Sequence, residues 1–215
     1  MRSRFTFSII PALIALVIGS TVSTAQENRG DTPLFNGVSL DGWEGDSDWF
    51  RIEDGCIVAG DLEQKIPHNF FLCTERVFGD FELTLEMKLE GEGKNAGVQF
   101  RSKRQLDSTE VIGYQMDAGA AWKRPVWGAL YDESRRRKML AEPAPEVIEN
   151  ALQSGWNQMR LKCVGSRIQI FVNDIQTVDY IEPDDAIERT GVIGLQIHSG
   201  PPSEAWYRNI SITEL

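Results

Sequence analysis

Residues 81–89 read F-E-L-T-L-E-M-K-L, apolar and polar side chains alternating without a break. Successive side chains of an extended strand point to opposite faces, so Phe81, Leu83, Leu85, Met87 and Leu89 share one face while Glu82, Thr84, Glu86 and Lys88 share the other. The segment is a half-buried β-strand. Shorter runs of the same kind follow one another along the chain. Trp49–Glu53 and Cys56–Ala59 flank Asp54-Gly55, a strong signal for a two-residue hairpin. Phe70–Cys73 and Trp127–Tyr131 are further strand candidates, and Trp156–Cys163 pairs naturally with Arg167–Val172 across Val164-Gly165-Ser166. Asn173-Asp174 turns the chain into Ile175–Tyr180, and Val192–His198 and Tyr207–Thr213 close the series. Only Pro143–Ala151 reads as a helical turn, kept short by its prolines. About ten strands with turns every eight to twelve residues predict an all-β fold, a two-sheet antiparallel β-sandwich.

The 215 residues suffice for one such domain, and 9 prolines and 19 glycines fit a turn-rich globular chain. Residues 1–25 are expected to form a cleaved signal peptide. Arg2 and Arg4 precede the apolar run Phe5–Gly19, and Ser23-Thr24-Ala25 offers small residues for cleavage. The competing reading, a membrane anchor, is weakened by the Ser, Thr, Gly and Pro in the run and by the lack of a stop-transfer flank. Residues 26–33 then form a polar tail and 34–215 a single domain, secreted or periplasmic. The formal net charge of −10 becomes more negative once Arg2 and Arg4 are removed, which disfavours nucleic acid and anionic membranes as partners. Cys56, Cys73 and Cys163 read as small buried hydrophobes, with a Cys56–Cys73 bridge as the alternative.

Three segments carry polar residues two apart: Gln99 and Arg101, Gln115 and Asp117, Gln196 and His198. With Gly97, Gly113 and Gly194 nearby, the pairs suggest a recessed polar face, although an ordinary wet sheet face accounts for each pair separately. His198 ends its strand beside Ser199-Gly200-Pro201-Pro202 and suits a general base, although a hydrogen-bonded structural role is the commoner one for such a residue. Trp122, Trp127 and Tyr131 can stack on sugar rings or serve the core. The run Asp132–Lys138 is solvated surface or a cation cluster for a polyoxygenated ligand. No phosphate-binding loop, dinucleotide fingerprint or nucleophile elbow occurs. The two-glutamate pattern of retaining glucanases, Glu-x-Asp-x-x-Glu, is approached only by Glu182-Pro183-Asp184-Asp185-Ala186-Ile187, which lacks the second glutamate.

The ordered set L-F-N-G-V-S-L-D-G-W (34–43), F-L-C-T-E-R-V-F-G-D-F-E-L (71–83), N-A-G-V-Q-F-R (95–101), G-Y-Q-M-D (113–117), G-A-L-Y (128–131), G-W-N (155–157), G-L-Q-I-H-S-G (194–200) and R-N-I-S-I-T-E-L (208–215) resembles the 3-keto-disaccharide hydrolase domain family. The resemblance implies a concanavalin-like lectin/glucanase jelly roll and an exported enzyme cleaving glycosidic bonds of 3-keto-sugars by base-assisted elimination and hydration. One position departs: the family's Gly-Tyr-Glu reads Gly113-Tyr114-Gln115, with Asp117 two residues on. Under this reading His198 is the base, Arg101 steadies the enolate, and Asp117 is the acid or orients His198. Gln99, Tyr114, Gln115, Trp122, Tyr131, Glu133 and Gln196 are the expected substrate-binding residues, and Tyr114 or Tyr131 is an alternative proton donor. No cofactor is expected; a divalent cation in place of Arg101 is compatible with the chemistry but not indicated by the sequence. The alternative is a non-catalytic carbohydrate-binding sandwich using the same face.

Overall fold

A computed structural model describes residues 30–106 and 108–215. The expected signal peptide, residues 1–25, lies outside the described residues, as does the first half of the polar tail, residues 26–29.

The chain begins with β1 (Thr32–Pro33), β2 (Trp43–Glu44), β3 (Phe50–Glu53), β4 (Cys56–Asp61), β5 (Phe70–Thr74) and β6 (Phe81–Gly91). Next come β7 (Asn95–Arg104), β8 (Val111–Ala121), β9 (Arg124–Pro125), β10 (Leu130–Glu133), β11 (Lys138–Ala141) and the helix α1 (Pro145–Ala151). The last five are β12 (Asn157–Val164), β13 (Arg167–Val172), β14 (Ile175–Ile181), β15 (Val192–Ile197) and β16 (Ser203–Glu214). Two antiparallel sheets form the sandwich. The first runs β14-β13-β12-β6-β16-β4-β3, with β1 on β16; the second runs β11-β10-β8-β7-β15-β5-β2, with β9 on β8. Thr32 and Pro33 thus pair with Ile212 and Ser211, so the domain takes in the end of the expected tail.

The perfect alternation of β6 does what its pattern requires. Phe81, Leu83, Leu85 and Met87 are fully buried, and the same face continues through Met159 and Leu161 of β12 and Ile168 and Ile170 of β13. The second sheet answers with Val98 and Phe100, Tyr114 and Met116, and Ile193, Leu195 and Ile197. Truncating one of these, Leu85→Ala for instance, costs about 2–5 kcal/mol. The Asp54-Gly55 hairpin forms as read, with both residues at positive φ (49° and 71°) and Glu53 opposite Cys56. All three cysteines are free and buried, and Cys56 and Cys73 lie on strands of opposite sheets.

The strand expected at Trp127–Tyr131 begins only at Leu130, because Trp127 and Gly128 form a turn. The charged run 132–138 departs from expectation in part: Arg137 and Lys138 are solvated and Glu133 faces the cleft, but Asp132, Arg135 and Arg136 are tied up in ion pairs. Asp132 is fully buried and accepts from Arg135 at 3.0 Å and from Arg136. Arg136 forks onto Glu182 at 3.0 and 2.7 Å, and Glu182 also accepts the Tyr114 hydroxyl at 2.6 Å. Burial opposes ionisation of Glu182, but the Arg136 and Tyr114 hydrogen bonds hold its carboxyl down to about 2. This network ties the turn after β10 in the second sheet to the residue that follows β14 in the first.

Candidate functional site

The outer face of the second sheet carries the polar pairs in phase. Gln99 lies opposite Gln115 on β8 and Gly194 on β15, while Gly97 lies opposite Asp117 and Gln196. Tyr131 and Glu133 of β10 stand opposite Gln115 and Gly113. A cleft of about 890 Å³ opens on this face. Its floor includes Gln115 and Asp117, and Tyr131 and Glu133 form one side. Opposite them stand the loop Gly91–Asn95 and the loop carrying His198, Ser199 and Pro201, and the turn between β8 and β9 supplies the lip.

That lip is unusual. Ala121 pairs with Arg124 across a two-residue turn, Trp122-Lys123, with φ of 49° and 64°. Such turns normally use Asn or Gly, because a Cβ is crowded at positive φ. Trp122 is held there 63% exposed, its ring centroid 6.0 Å from that of Tyr131. The two rings make an aromatic wall, and Arg124 flanks it with its guanidinium carbon 5.7 Å from the Trp122 centroid.

Asp117 is the buried acid of the cleft. Burial raises its carboxyl to about 7; the Gln115 hydrogen bond opposes the shift and the charge of Glu133 adds to it. Glu133 is also raised, by burial first and then by Glu110, with His198 opposing. Burial raises Tyr131 too, so its phenol stays protonated near neutral pH. His198 Nδ1 lies 2.7 Å from the Ser199 carbonyl oxygen, which can only accept a hydrogen bond. The proton therefore sits on Nδ1, and in the neutral ring Nε2 is an acceptor.

An amide chain runs behind Asp117. Gln115 Nε2 donates to Asp117 Oδ1 at 2.6 Å and to Gln196 Oε1 at 3.1 Å. Gln99 Nε2 donates to Gln115 Oε1 at 2.7 Å, and the Ser102 hydroxyl lies 2.9 Å from Gln99 Oε1. Gln99 and Gln196 are completely buried and lie beneath the site rather than lining it.

The structure thus brings Gln115, Asp117, Trp122, Tyr131, Glu133 and His198 to one cleft. Tyr114 is not among them: its ring is in the core, stacked on Phe100, and its hydroxyl serves Glu182. Arg101 is not there either, against expectation. A β-bulge interrupts the pairing of β7 with β8 between Phe100 and Lys103, and Arg101 takes a φ of 45°. The extra residue breaks the alternation, so Ser102, not Arg101, takes the place beside Gln99. The Arg101 side chain is 1% exposed and donates to the Gly79 carbonyl at 2.9 Å, the Gly165 carbonyl at 2.7 Å and Asp80 at 2.7 Å. Lys94, Asn95 and Lys123 line the cleft without having been singled out from the sequence. Their signals were slight: Asn95 opens a polar-faced strand, and Lys94 and Lys123 sit in loops. Among the described residues, no three carboxylate, imidazole or thiol groups converge closely enough to hold a metal ion.

Solved structures with this architecture include a candidate glycosyl hydrolase from Parabacteroides distasonis (20% identity, 86% of this chain and 99% of that one, TM-score 0.62). A carbohydrate binding module from Bacillus subtilis matches over 80% of this chain and 96% of its own (15% identity, TM-score 0.59). The β-glucanase of Bacillus licheniformis matches over 86% and 98% (9% identity, TM-score 0.57). At these identities the likeness is one of fold. No curated protein sequence matches the chain. The model of the 3-keto-alpha-glucoside-1,2-lyase-like domain matches residues 30–213, nearly the whole described chain, and the protein belongs to that family.

Proposed function

We propose that the protein cleaves glycosidic bonds of 3-keto-sugars by elimination followed by hydration, acting outside the cytoplasm after export by the leader at residues 1–25. The observation that carries this reading is the cleft itself. An imidazole with Nε2 left as acceptor and a carboxyl that holds its proton to about 7 line one cavity, beside an aromatic wall suited to a sugar ring. A ketone at C3 acidifies the hydrogen on C2. His198 Nε2 takes that proton, and the C2–H electron pair forms the enolate. The enolate then collapses: C1=C2 forms, the ketone returns, and the C1–O bond breaks with its pair going to the leaving oxygen. Asp117 protonates that oxygen, and water adds across C1=C2. The electrophilic role expected of Arg101 falls to the cations at the cleft, Lys94 and Lys123. Tyr131, still protonated, is a second donor within the site.

One observation favours a second reading, a non-catalytic carbohydrate-binding domain. Residue 115, where the family resemblance implies a glutamate, is a glutamine, and a carbohydrate binding module shares the fold. Incubation with a 3-keto-glucoside separates the two. Aglycone release by wild type, lost in His198→Ala and strongly reduced in Asp117→Asn, supports the enzyme. No release over a broad substrate panel, with sugar binding still measurable, establishes the binding domain instead.

A further inference from the structure

Three primary amides lie at 0–3% exposure on the outer face of the second sheet. Each costs about 1–3 kcal/mol to bury unless its hydrogen bonds are replaced. The same face accommodates apolar residues elsewhere, where Phe71 and Cys73 of β5 and Val111 at the start of β8 form a small buried cluster. Filling space therefore does not require glutamine at 99, 115 and 196. Their connection explains them better. An ionised carboxylate only accepts hydrogen bonds, so Asp117 Oδ1 fixes which end of the Gln115 amide faces it. Gln115 Oε1 must then take a donor, which fixes the Gln99 amide and leaves Gln99 Oε1 toward the Ser102 hydroxyl. Both Gln115 N–H groups are used, one on Asp117 and one on Gln196.

The backbone is shaped around this chain. A Cβ at Gly97 would lie 2.8 Å from Gln115 Cδ and 2.9 Å from its Nε2, and one at Gly194 would lie 3.2 Å from Gln99 Cβ. Glycine at 97 is what lets the Gln115 amide fold back against β7 toward Asp117. The β-bulge contributes at the other end: by turning Arg101 away it brings Ser102 beneath Gln99.

We propose that Gln115 is a positioning residue for the reaction above: held from behind by Gln99 and Ser102, its amide pins Asp117 Oδ1 as an acceptor and leaves Oδ2 as the oxygen that exchanges a proton with the bound sugar. In this chain the carboxyl function stands at 117, and the residue at 115 orients it. The inference rests on the elimination reading for the word reaction, but the orientation of Asp117 can be measured without turnover. The other titratable or charged groups of the cleft are Glu133 and Tyr131 on β10, His198 after β15, Glu92 and Lys94 before β7, and Lys123 at the lip.

The test follows the Asp117 carboxyl by NMR in protein labelled with 13C-aspartate, its resonance identified by its loss in Asp117→Asn. Gln115→Met keeps the volume and removes the donor; Gln99→Met, farther from the cleft, serves if the first variant does not fold. Loss of a hydrogen bond to the ionised carboxylate raises its midpoint, so Gln115→Met is expected to move it up by about one pH unit. The limb of the kcat–pH profile assigned to Asp117 moves with it, and KM changes less than about threefold, since positioning acts on the chemical step. Gln99→Met is expected to move both in the same direction by less. An Asp117 midpoint unchanged in both variants overturns the proposal, as does a fall in kcat without movement of the midpoint or of the pH profile. If wild type turns over no keto-sugar but the midpoint still moves, the elimination reading fails while the pinning of Asp117 by Gln115 stands.

Discussion

Asp117→Asn converts the buried acid into a neutral group of nearly the same shape, whose Oδ1 can still accept from Gln115 Nε2. In the folded protein the Asp117 carboxyl is raised from an ordinary 3.8 to about 7, chiefly by burial. Between those values the folded state holds a proton that the unfolded chain has released. Stability then falls as pH rises, at about 1.4 kcal/mol per pH unit. The full effect is present below the unfolded value and gone above the folded one. Over about three pH units the wild type loses about 4 kcal/mol that the asparagine variant keeps. The two proteins should thus be nearly equal in stability at pH 4, with the variant ahead by about 4 kcal/mol at pH 8. Glu133, also raised, adds a slope of the same sign, and Glu182, held down to about 2, adds an opposite one at acid pH. Both residues are present in both proteins, so the difference between the curves reports Asp117 together with its charge coupling to Glu133. Urea unfolding followed by tryptophan fluorescence at half-unit steps from pH 4 to 8.5 gives the two curves. Parallel curves would show that Asp117 is an ordinary carboxylate, and the assignment of the acid would fall with them.

Arg101→Met should lower stability by about 3 kcal/mol, since it removes charge-assisted hydrogen bonds to Gly79, Gly165 and Asp80. Turnover per folded molecule should be unchanged, and a hundredfold loss with normal urea midpoints would return Arg101 to the reaction. His198→Gln should reduce kcat by about 10²–10⁴, the usual worth of a general base, with KM little altered; a drop of less than threefold would remove His198 from that role. Trp122→Ala should weaken sugar binding by about tenfold, equivalent to about 1.4 kcal/mol, as measured by calorimetry. Affinity unchanged within a factor of two would mean that the sugar does not lie against the aromatic wall.

The period-two pattern reads correctly wherever strands are regular. It puts Phe81, Leu83, Leu85 and Met87 in the core, and it puts Gln99, Gln115 and Gln196 on one face before any register is known. It fails at Arg101, because alternation says nothing of a bulge. The bulge packs against a residue far along the chain, Gly191, where a Cβ would meet the Ser102 nitrogen at 2.3 Å. The charged run 132–138 is misread in part for a similar reason, since what lets Asp132 be buried is its pairing with Arg135 and Arg136, and Arg136 is held in turn by Glu182, distant in sequence. The cleft lip escapes notice because Trp122-Lys123 carries none of the usual residues of a tight turn.

The position of the carboxyl follows from the same geometry. Two residues along a strand is about 7 Å, so moving the acid from 115 to 117 shifts it by one full pleat while keeping it on the same face. Residue 115 lies in the row of Gln99 and Gly194; residue 117 lies in the row of Gly97 and Gln196. His198 follows Gln196 by two residues, one row farther in the same direction, so the shift carries the acid toward the imidazole. A glutamate at 115 would have to reach along the strand to act with His198. An aspartate at 117 has the shorter side chain and the nearer row, and it needs an amide behind it to replace the solvent it has lost. Gln115 supplies that amide, so under the proposed reading the glutamine at 115 and the aspartate at 117 act as one unit.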